Sequence, residues 1–188
     1  PLNAILGFSR IIAETDNSEE RLQYYDIVEK NNMRLQELIN EILDLSKIES
    51  GMMEFNYAPV NLYKLCDDVK NTYRFRCQSG VDLIFEQSDR SLYISTDRNR
   101  LFQIFSNLIG NATKFTQKGH ISFGYKKVDN QIIFHVTDTG TGIPAEKLPK
   151  IFDRFMMAND NVAGTGLGLS ISKIIAEKLG GKIWVNSK

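Results

Sequence analysis

Asn107, Asn111 and Lys114 recur at i, i+4 and i+7, so they share one face of any helix that contains them. Amide oxygens suit a hard cation such as Mg²⁺, and a lysine one turn further along can pair with phosphate oxygens. Leu101, Ile104, Phe105, Leu108, Ala112 and Phe115 form an apolar stripe about 100° round the same helix, which sets the polar triplet at the border of the core. A cleft edge is expected there, although the triplet alone reads equally well as a solvated face.

Asp138-Thr139-Gly140-Thr141-Gly142-Ile143-Pro144 follows directly on a strand-like run, residues 132–137. Glycines at alternate positions let a backbone approach a ligand without Cβ obstruction, and Asp138 offers an acceptor to an exocyclic amine such as that of adenine. On its own this stretch is also an ordinary Asp/Gly turn. Gly164-Thr165-Gly166-Leu167-Gly168-Leu169 opens a helix whose free N–H groups and dipole favour anions. It is not a Walker loop, since no Gly-Lys-Ser/Thr follows, and it lacks the preceding strand of a dinucleotide fingerprint. Between these stretches lie Phe152-Asp153-Arg154-Phe155 and residues 156–163, polar enough to form a lid over a nucleotide.

The elements that must carry these residues are legible from periodicity. Residues 18–50 read as one long helix, about 50 Å at 1.5 Å per residue, stopped by Gly51. Val28, Leu35 and Ile42, with Leu38 and Leu45, trace a coiled-coil seam that residues 2–14 are too short to cover. A hairpin completed by dimerisation is the expectation, an intramolecular bundle helix the alternative. From about residue 59 short strands alternate with helices. Asn61 caps a helix carrying Leu62, Leu65 and Val69, and residues 81–86 and 92–95 are strands. Asp97 caps a helix to about Phe115. Strands 121–128 and 132–138 meet at Asp129-Asn130, a helix spans about 167–179, and residues 182–185 form a terminal strand. This is an α+β arrangement, a two-layer α/β sandwich with helices on one face of a mixed sheet.

Composition narrows the function classes. The 188 residues carry 23 basic and 23 acidic side chains, so no global field draws nucleic acid or acidic lipid. Cys66 and Cys77 lack ligand spacing, which argues against a disulfide scaffold or zinc site and fits a cytoplasmic setting. No uncharged apolar run approaches the roughly 20 residues of a membrane helix.

The joint order and intervals of these motifs closely resemble the ATP-binding core of two-component sensor histidine kinases. Residues 107–116 look like that family's N box, 138–142 its first glycine box, 152–155 its F box and 164–169 its second glycine box. Pro1-Leu2-Asn3-Ala4-Ile5-Leu6-Gly7-Phe8 resembles the tail of its H box, in which the phosphoacceptor histidine lies just upstream of the proline. The resemblance implies that residues 1–52 are a partial dimerisation and phosphoacceptor hairpin of a dimeric four-helix bundle, without the acceptor, and that 59–188 are an ATP-binding catalytic domain cut short at its C-terminus. It further implies ATP and Mg²⁺ as ligands. Asn111 would hold the metal, Lys114 touch phosphate and Asp138 read adenine. Asn107, Gly140, Gly142, Ile143, Phe155, Gly164, Thr165, Gly166, Leu167 and Gly168 would complete the nucleotide site. The implied activity is protein-histidine kinase: γ-phosphoryl transfer to a histidine of the parent protein, then to an aspartate of a response-regulator receiver. Partners would be a second copy through helices 1–50 and that receiver, with no nucleic acid and no direct membrane contact, in a cytoplasmic segment of a parent anchored in the plasma membrane. His120 and His135 lie in strand patterns and read as structural. A gyrase- or mismatch-repair-type ATPase is the enzymatic alternative, disfavoured because an amide at Asn107 cannot take a proton from water. A non-catalytic nucleotide-binding dimerisation scaffold is the other.

Overall fold

The computed structural model describes residues 1–86, 89–157 and 164–187, and the chain divides into two compact units, Pro1–Met53 and Glu54–Lys188. The first unit is a helical hairpin of α1 (Leu2–Glu14) and α2 (Ser18–Glu49). The cap of α2 falls one residue before the expected acidic start: the Asn17 side chain accepts from the Glu19 and Glu20 N–H groups, satisfying two orphan donors of the first turn. Gly51, at φ 70°, ends the helix in the left-handed conformation glycine adopts without strain.

Phe8 stacks on Tyr24 with ring centroids 5.5 Å apart, which fixes how the short helix lies on the long one. Val28, Leu35, Leu38 and Leu45 are half-buried along α2, but Ile42, expected in the same seam, is 56% exposed. No residue of either helix is fully buried. Two helices cannot enclose a core by themselves, so the apolar side chains of α2 remain partly in water.

In the second unit β1 (Ala58–Asn61) pairs antiparallel with β3 (Tyr93–Thr96), while β2 (Val81–Phe85), β4 (Gly119–Val128) and β5 (Gln131–Asp138) form a mixed sheet. In that sheet β2 runs parallel to β4, and β4 antiparallel to β5. Asp129, at φ 53°, turns β4 into β5. The sheet presents Phe85, Phe123 and Tyr125 to α3 (Leu62–Tyr73) and α4 (Arg98–Phe115), which contribute Leu62, Leu65, Val69, Leu101, Phe105 and Ile109 to one core. Phe105 meets Phe123 and Phe134 edge-on at 5.9 and 5.7 Å, a geometry aromatic quadrupoles favour. The Tyr73 hydroxyl reaches the Ser106 carbonyl at 3.2 Å and ties α3 to α4. Last comes α5 (Gly168–Lys178), closed by Gly180 at φ 82°.

Two expectations shift. The inward stripe of α4 is Leu101, Phe105, Ile109 and Ala112, whereas Ile104, Leu108 and Phe115 are only half-buried, because the helix turns slightly further towards the sheet than apolar spacing alone suggests. Residues 182–185 form no strand. Ile183, Val185 and Ser187 are half-buried and their neighbours exposed, so the period-two alternation is present, but among the described residues they join no ladder, and alternation without a paired backbone is not a strand.

Candidate functional site

The site is built around α4, whose start is fixed by the carboxylate of Asp97. It accepts from the Asn99 and Arg100 N–H groups at 2.9 and 3.0 Å and from the Asn56 N–H at 2.8 Å. Burial opposes ionisation of this side chain, but the three N–H donors and the charge of Arg100 outweigh it and hold the carboxyl below the ordinary aspartate range. With the helix start pinned, Asn107, Asn111 and Lys114 share one face as expected, the two amides half-buried and the lysine exposed.

That face meets α5 at its near end. The Asn107 Nδ2 donates to the Gly168 carbonyl at 3.0 Å and to the Ser172 hydroxyl at 3.1 Å, so the first polar residue of the triplet is bonded directly to the second glycine stretch. A Cβ on Gly168 would lie 3.2 Å from the Asn107 Oδ1, a tight contact that would press on the amide. The helix of Gly168 starts at Leu167, buried and without a side-chain cap, whereas Asn17, Asn61 and Asp97 cap α2, α3 and α4. Its first N–H groups are left as donors, the arrangement that receives anions. Thr165 Oγ1 accepts from the Leu167 N–H at 3.1 Å and shapes the approach, while Gly164 is exposed with open space at its Cα.

The far end of α4 meets the first glycine stretch. The Phe115 carbonyl accepts from the Thr141 N–H at 3.3 Å, and a Cβ on Gly140 would come within 2.6 Å of the same oxygen. Asp138 ends β5, exposed, with its Oδ1 accepting from the Gly140 N–H at 2.9 Å, which leaves its Oδ2 with no hydrogen bond among the described residues. Thr139 clasps the start of β4: its Oγ1 accepts from the His120 N–H at 3.0 Å. Gly142 takes φ 68° and the half-buried Ile143 donates its N–H to the Ser187 hydroxyl at 2.8 Å.

Phe155 closes the remaining side. Its N–H donates to the Gly166 carbonyl at 2.9 Å, and a Cβ on Gly166 would lie 2.5 Å from the Phe155 carbonyl carbon. Both residues are left-handed, at φ 62° and 72°, and the Phe155 ring is 68% exposed. Of the expected lid, residues 158–163 lie outside the described residues. A concavity of about 500 Å³ lined by Phe152, Arg154, Lys173 and Glu177 lies beside α5 and includes none of the polar triplet.

The two glycine stretches are thus joined to α4 at Asn107 and at Phe115, eight residues or about 12 Å apart along the axis. Asn111 and Lys114 lie on the face between them. That spacing suits an extended nucleoside triphosphate with its base at Asp138 and its phosphates at the start of α5. Among the described residues no cluster of three His, Cys, Asp or Glu side chains is placed to hold a metal. A cation here would depend on amide, water and phosphate oxygens, hard donors of the kind Mg²⁺ accepts. Burial pushes the Cys66 thiol up to about 12 and raises that of Cys77, which disfavours a thiolate at either position. The role of Ser172 was not legible in the sequence, where it is one of several polar positions in a mixed helix, 65 residues from Asn107.

Residues 1–51 match the family described as the His Kinase A (phospho-acceptor) domain, and residues 96–188 the histidine kinase-, DNA gyrase B- and HSP90-like ATPases. The whole chain is 36% identical over 200 aligned residues to the autoinducer 2 sensor kinase/phosphatase LuxQ of Vibrio vulnificus, covering 23% of it. It is 33% identical to the aerobic respiration control sensor protein ArcB of Escherichia coli, covering 25%. The chain therefore spans about a quarter of the length of these relatives. Among solved structures, the catalytic domain of histidine kinase ThkA is 34% identical with a TM-score of 0.62, over 70% of this chain and 86% of that one. Full-length ShkA in complex with AMPPNP is 30% identical with a TM-score of 0.76, over 96% of this chain and 38% of that one. ThkA in complex with the response regulator protein TrrA is 27% identical with a TM-score of 0.76, over all of this chain and 54% of that one.

Proposed function

This chain belongs to the two-component sensor histidine kinases, and from that premise we propose that residues 59–188 bind ATP with Mg²⁺ and supply the catalytic half of a phosphorelay. The observation that carries the reading is the attachment of both glycine stretches to one helix, through Asn107 to Gly168 and through Phe115 to Gly140 and Thr141. The AMPPNP complex of ShkA supports the choice of nucleotide.

In this reading Asp138 accepts from the purine amine through the oxygen not used by Gly140. Gly140, Gly142 and Ile143 form the backbone wall beside the base. The N–H groups at the start of α5, exposed by Gly164, Thr165, Gly166, Leu167 and Gly168, receive the phosphates, and Phe155 borders that end. Lys114 offsets phosphate charge. Asn111, with the Asn107 Oδ1 one turn away, would hold Mg²⁺, which would supply charge to offset the phosphate oxygens. The protein contributes positioning and charge, as phosphoryl transfer requires. The bond from the γ-phosphorus to the β–γ bridging oxygen breaks, a bond from phosphorus to an imidazole nitrogen of the parent's acceptor histidine forms, and ADP leaves. The phosphoryl group then passes to an aspartate of a response regulator, the partner class found with ThkA.

Residues 1–52 act as the dimerisation and phosphoacceptor hairpin, supported by the apolar side chains α2 leaves partly in water. The only histidines of this chain are His120 and His135, on β4 and β5. No helix among the described residues is long and apolar enough to cross a membrane. We assign the segment to the cytoplasm and membrane anchoring to the parent protein. The test is incubation of the full-length protein with γ-labelled ATP. Acid-labile, alkali-stable label on the protein supports the kinase reading; release of phosphate to water with no protein label would favour an ATPase.

A further inference from the structure

The Asn107 amide is held at two points, and chemistry fixes which way round. The Gly168 carbonyl can only accept, so the group facing it at 3.0 Å is the NH₂ of Asn107, and the same nitrogen donates to the Ser172 hydroxyl at 3.1 Å. Both NH₂ hydrogens are therefore spent. The Oδ1 is left as the acceptor, and the absence of a Cβ on Gly168 keeps the space beside it open.

Ser172 is fully buried between Ile171 and Ile175, also fully buried, and the other buried hydroxyl of the helix, Ser170, is satisfied within the helix by the Leu167 carbonyl at 2.8 Å. A hydroxyl in that place costs stability unless it is used. It stands four residues after Gly168, so the two acceptors lie one turn apart on α5 and grip one amide between them.

We propose that Ser172 is a positioning residue: acting through Asn107, it turns the Asn107 amide oxygen towards the Mg²⁺ and phosphate end of the groove. The inference rests on the nucleotide reading above and goes beyond it, since Ser172 touches neither nucleotide nor metal. Without the Ser172 acceptor the amide keeps one anchor, the Gly168 carbonyl, and is free to tilt or rotate, so the cation loses an oriented ligand while the purine contacts at Asp138 are untouched.

The test is isothermal titration of a non-hydrolysable ATP analogue, with Mg²⁺ and again with EDTA, into wild type, Ser172→Ala, Asn107→Ala and the double variant. Ser172→Ala should bind about three- to tenfold more weakly with Mg²⁺, the scale of one hydrogen bond, and nearly as wild type in EDTA. It should add nothing in the Asn107→Ala background. Ser172→Cys, which overfills where Ser172→Ala underfills and offers only a weak acceptor, should match Ser172→Ala and guards against a packing artefact. Equal losses with and without Mg²⁺, no loss, or a loss additive to that of Asn107→Ala would overturn the proposal while leaving the nucleotide reading standing. Failure of wild type to bind the analogue at all would remove that reading and the proposal with it.

Discussion

Gly140 and the Phe115 carbonyl are in backbone contact: a Cβ on residue 140 would lie 2.6 Å from that oxygen, closer than any side chain tolerates. The contact holds the first glycine stretch against the end of α4, just past Lys114. It makes the pocket a matter of backbone fit as much as of polar side chains.

Gly140→Ala should therefore destabilise the catalytic unit by about 1–3 kcal/mol, the usual cost of forcing a methylene into a packed site. Gly166→Ala should cost at least as much, since its φ of 72° adds backbone strain to a 2.5 Å encounter with Phe155. Gly110 is the control. It sits inside α4 with nothing within 4 Å of its would-be Cβ, so Gly110→Ala should raise stability by about 0.5–1 kcal/mol. Urea unfolding of the three variants checks the order.

Acid should loosen α4 through Asp97. Its folded-state pKa is depressed, so the carboxylate contributes stability that is fully present above the unfolded aspartate value and is lost as pH falls through the lower folded value. At neutral pH Asp97→Asn should be less stable than wild type by about 1–2 kcal/mol, because asparagine still caps the helix but turns an NH₂ towards the Asn56 N–H, and the gap should narrow below about pH 4. Paired urea titrations at neutral and acidic pH measure it. A gap that widens in acid would contradict the assignment.

The hairpin should associate. Ile42, Leu43 and Ile39 are about half exposed on a helix with no fully buried residue. Sedimentation equilibrium should give a dimer for wild type, and Ile42→Glu should shift it towards monomer by tenfold or more in Kd, the effect of placing a charge in an apolar seam. A wild-type monomer at high concentration would contradict the seam.

His120 and His135 should stay unlabelled when this chain is incubated with γ-labelled ATP. His120 is exposed at the start of β4, and His135 pairs with Glu86 at 3.0 Å on the sheet. Peptide mapping after labelling checks this.

How much of this was legible in sequence depends on how far apart the partners lie. Asp97 as the cap of α4, and the shared face of Asn107, Asn111 and Lys114, follow from spacing within one helix, and the structure has both. β1 was missed because Ala58-Pro59-Val60-Asn61 carries a proline and no alternation, and only its pairing with β3 makes it a strand. Residues 182–185 failed in the opposite way, with alternation but no ladder among the described residues. The inward turn of α4 to Ile109 is set by Phe123 and the sheet, not by the helix's own sequence. The grip of Ser172 on Asn107 spans 65 residues and leaves no periodic trace. Local chemistry was readable, and the long-range contacts that orient it were not.

The central claim is that one groove along α4 reads a purine at Asp138 and holds a triphosphate at the start of α5. Isothermal titration of an ATP analogue with Mg²⁺ into wild type and Asp138→Asn tests it most directly. Wild type should bind, and the variant should bind at least about tenfold more weakly with an unchanged unfolding midpoint, because an uncompensated polar contact to the base is lost. Equal affinity for the two proteins, or no binding by wild type, would contradict the account.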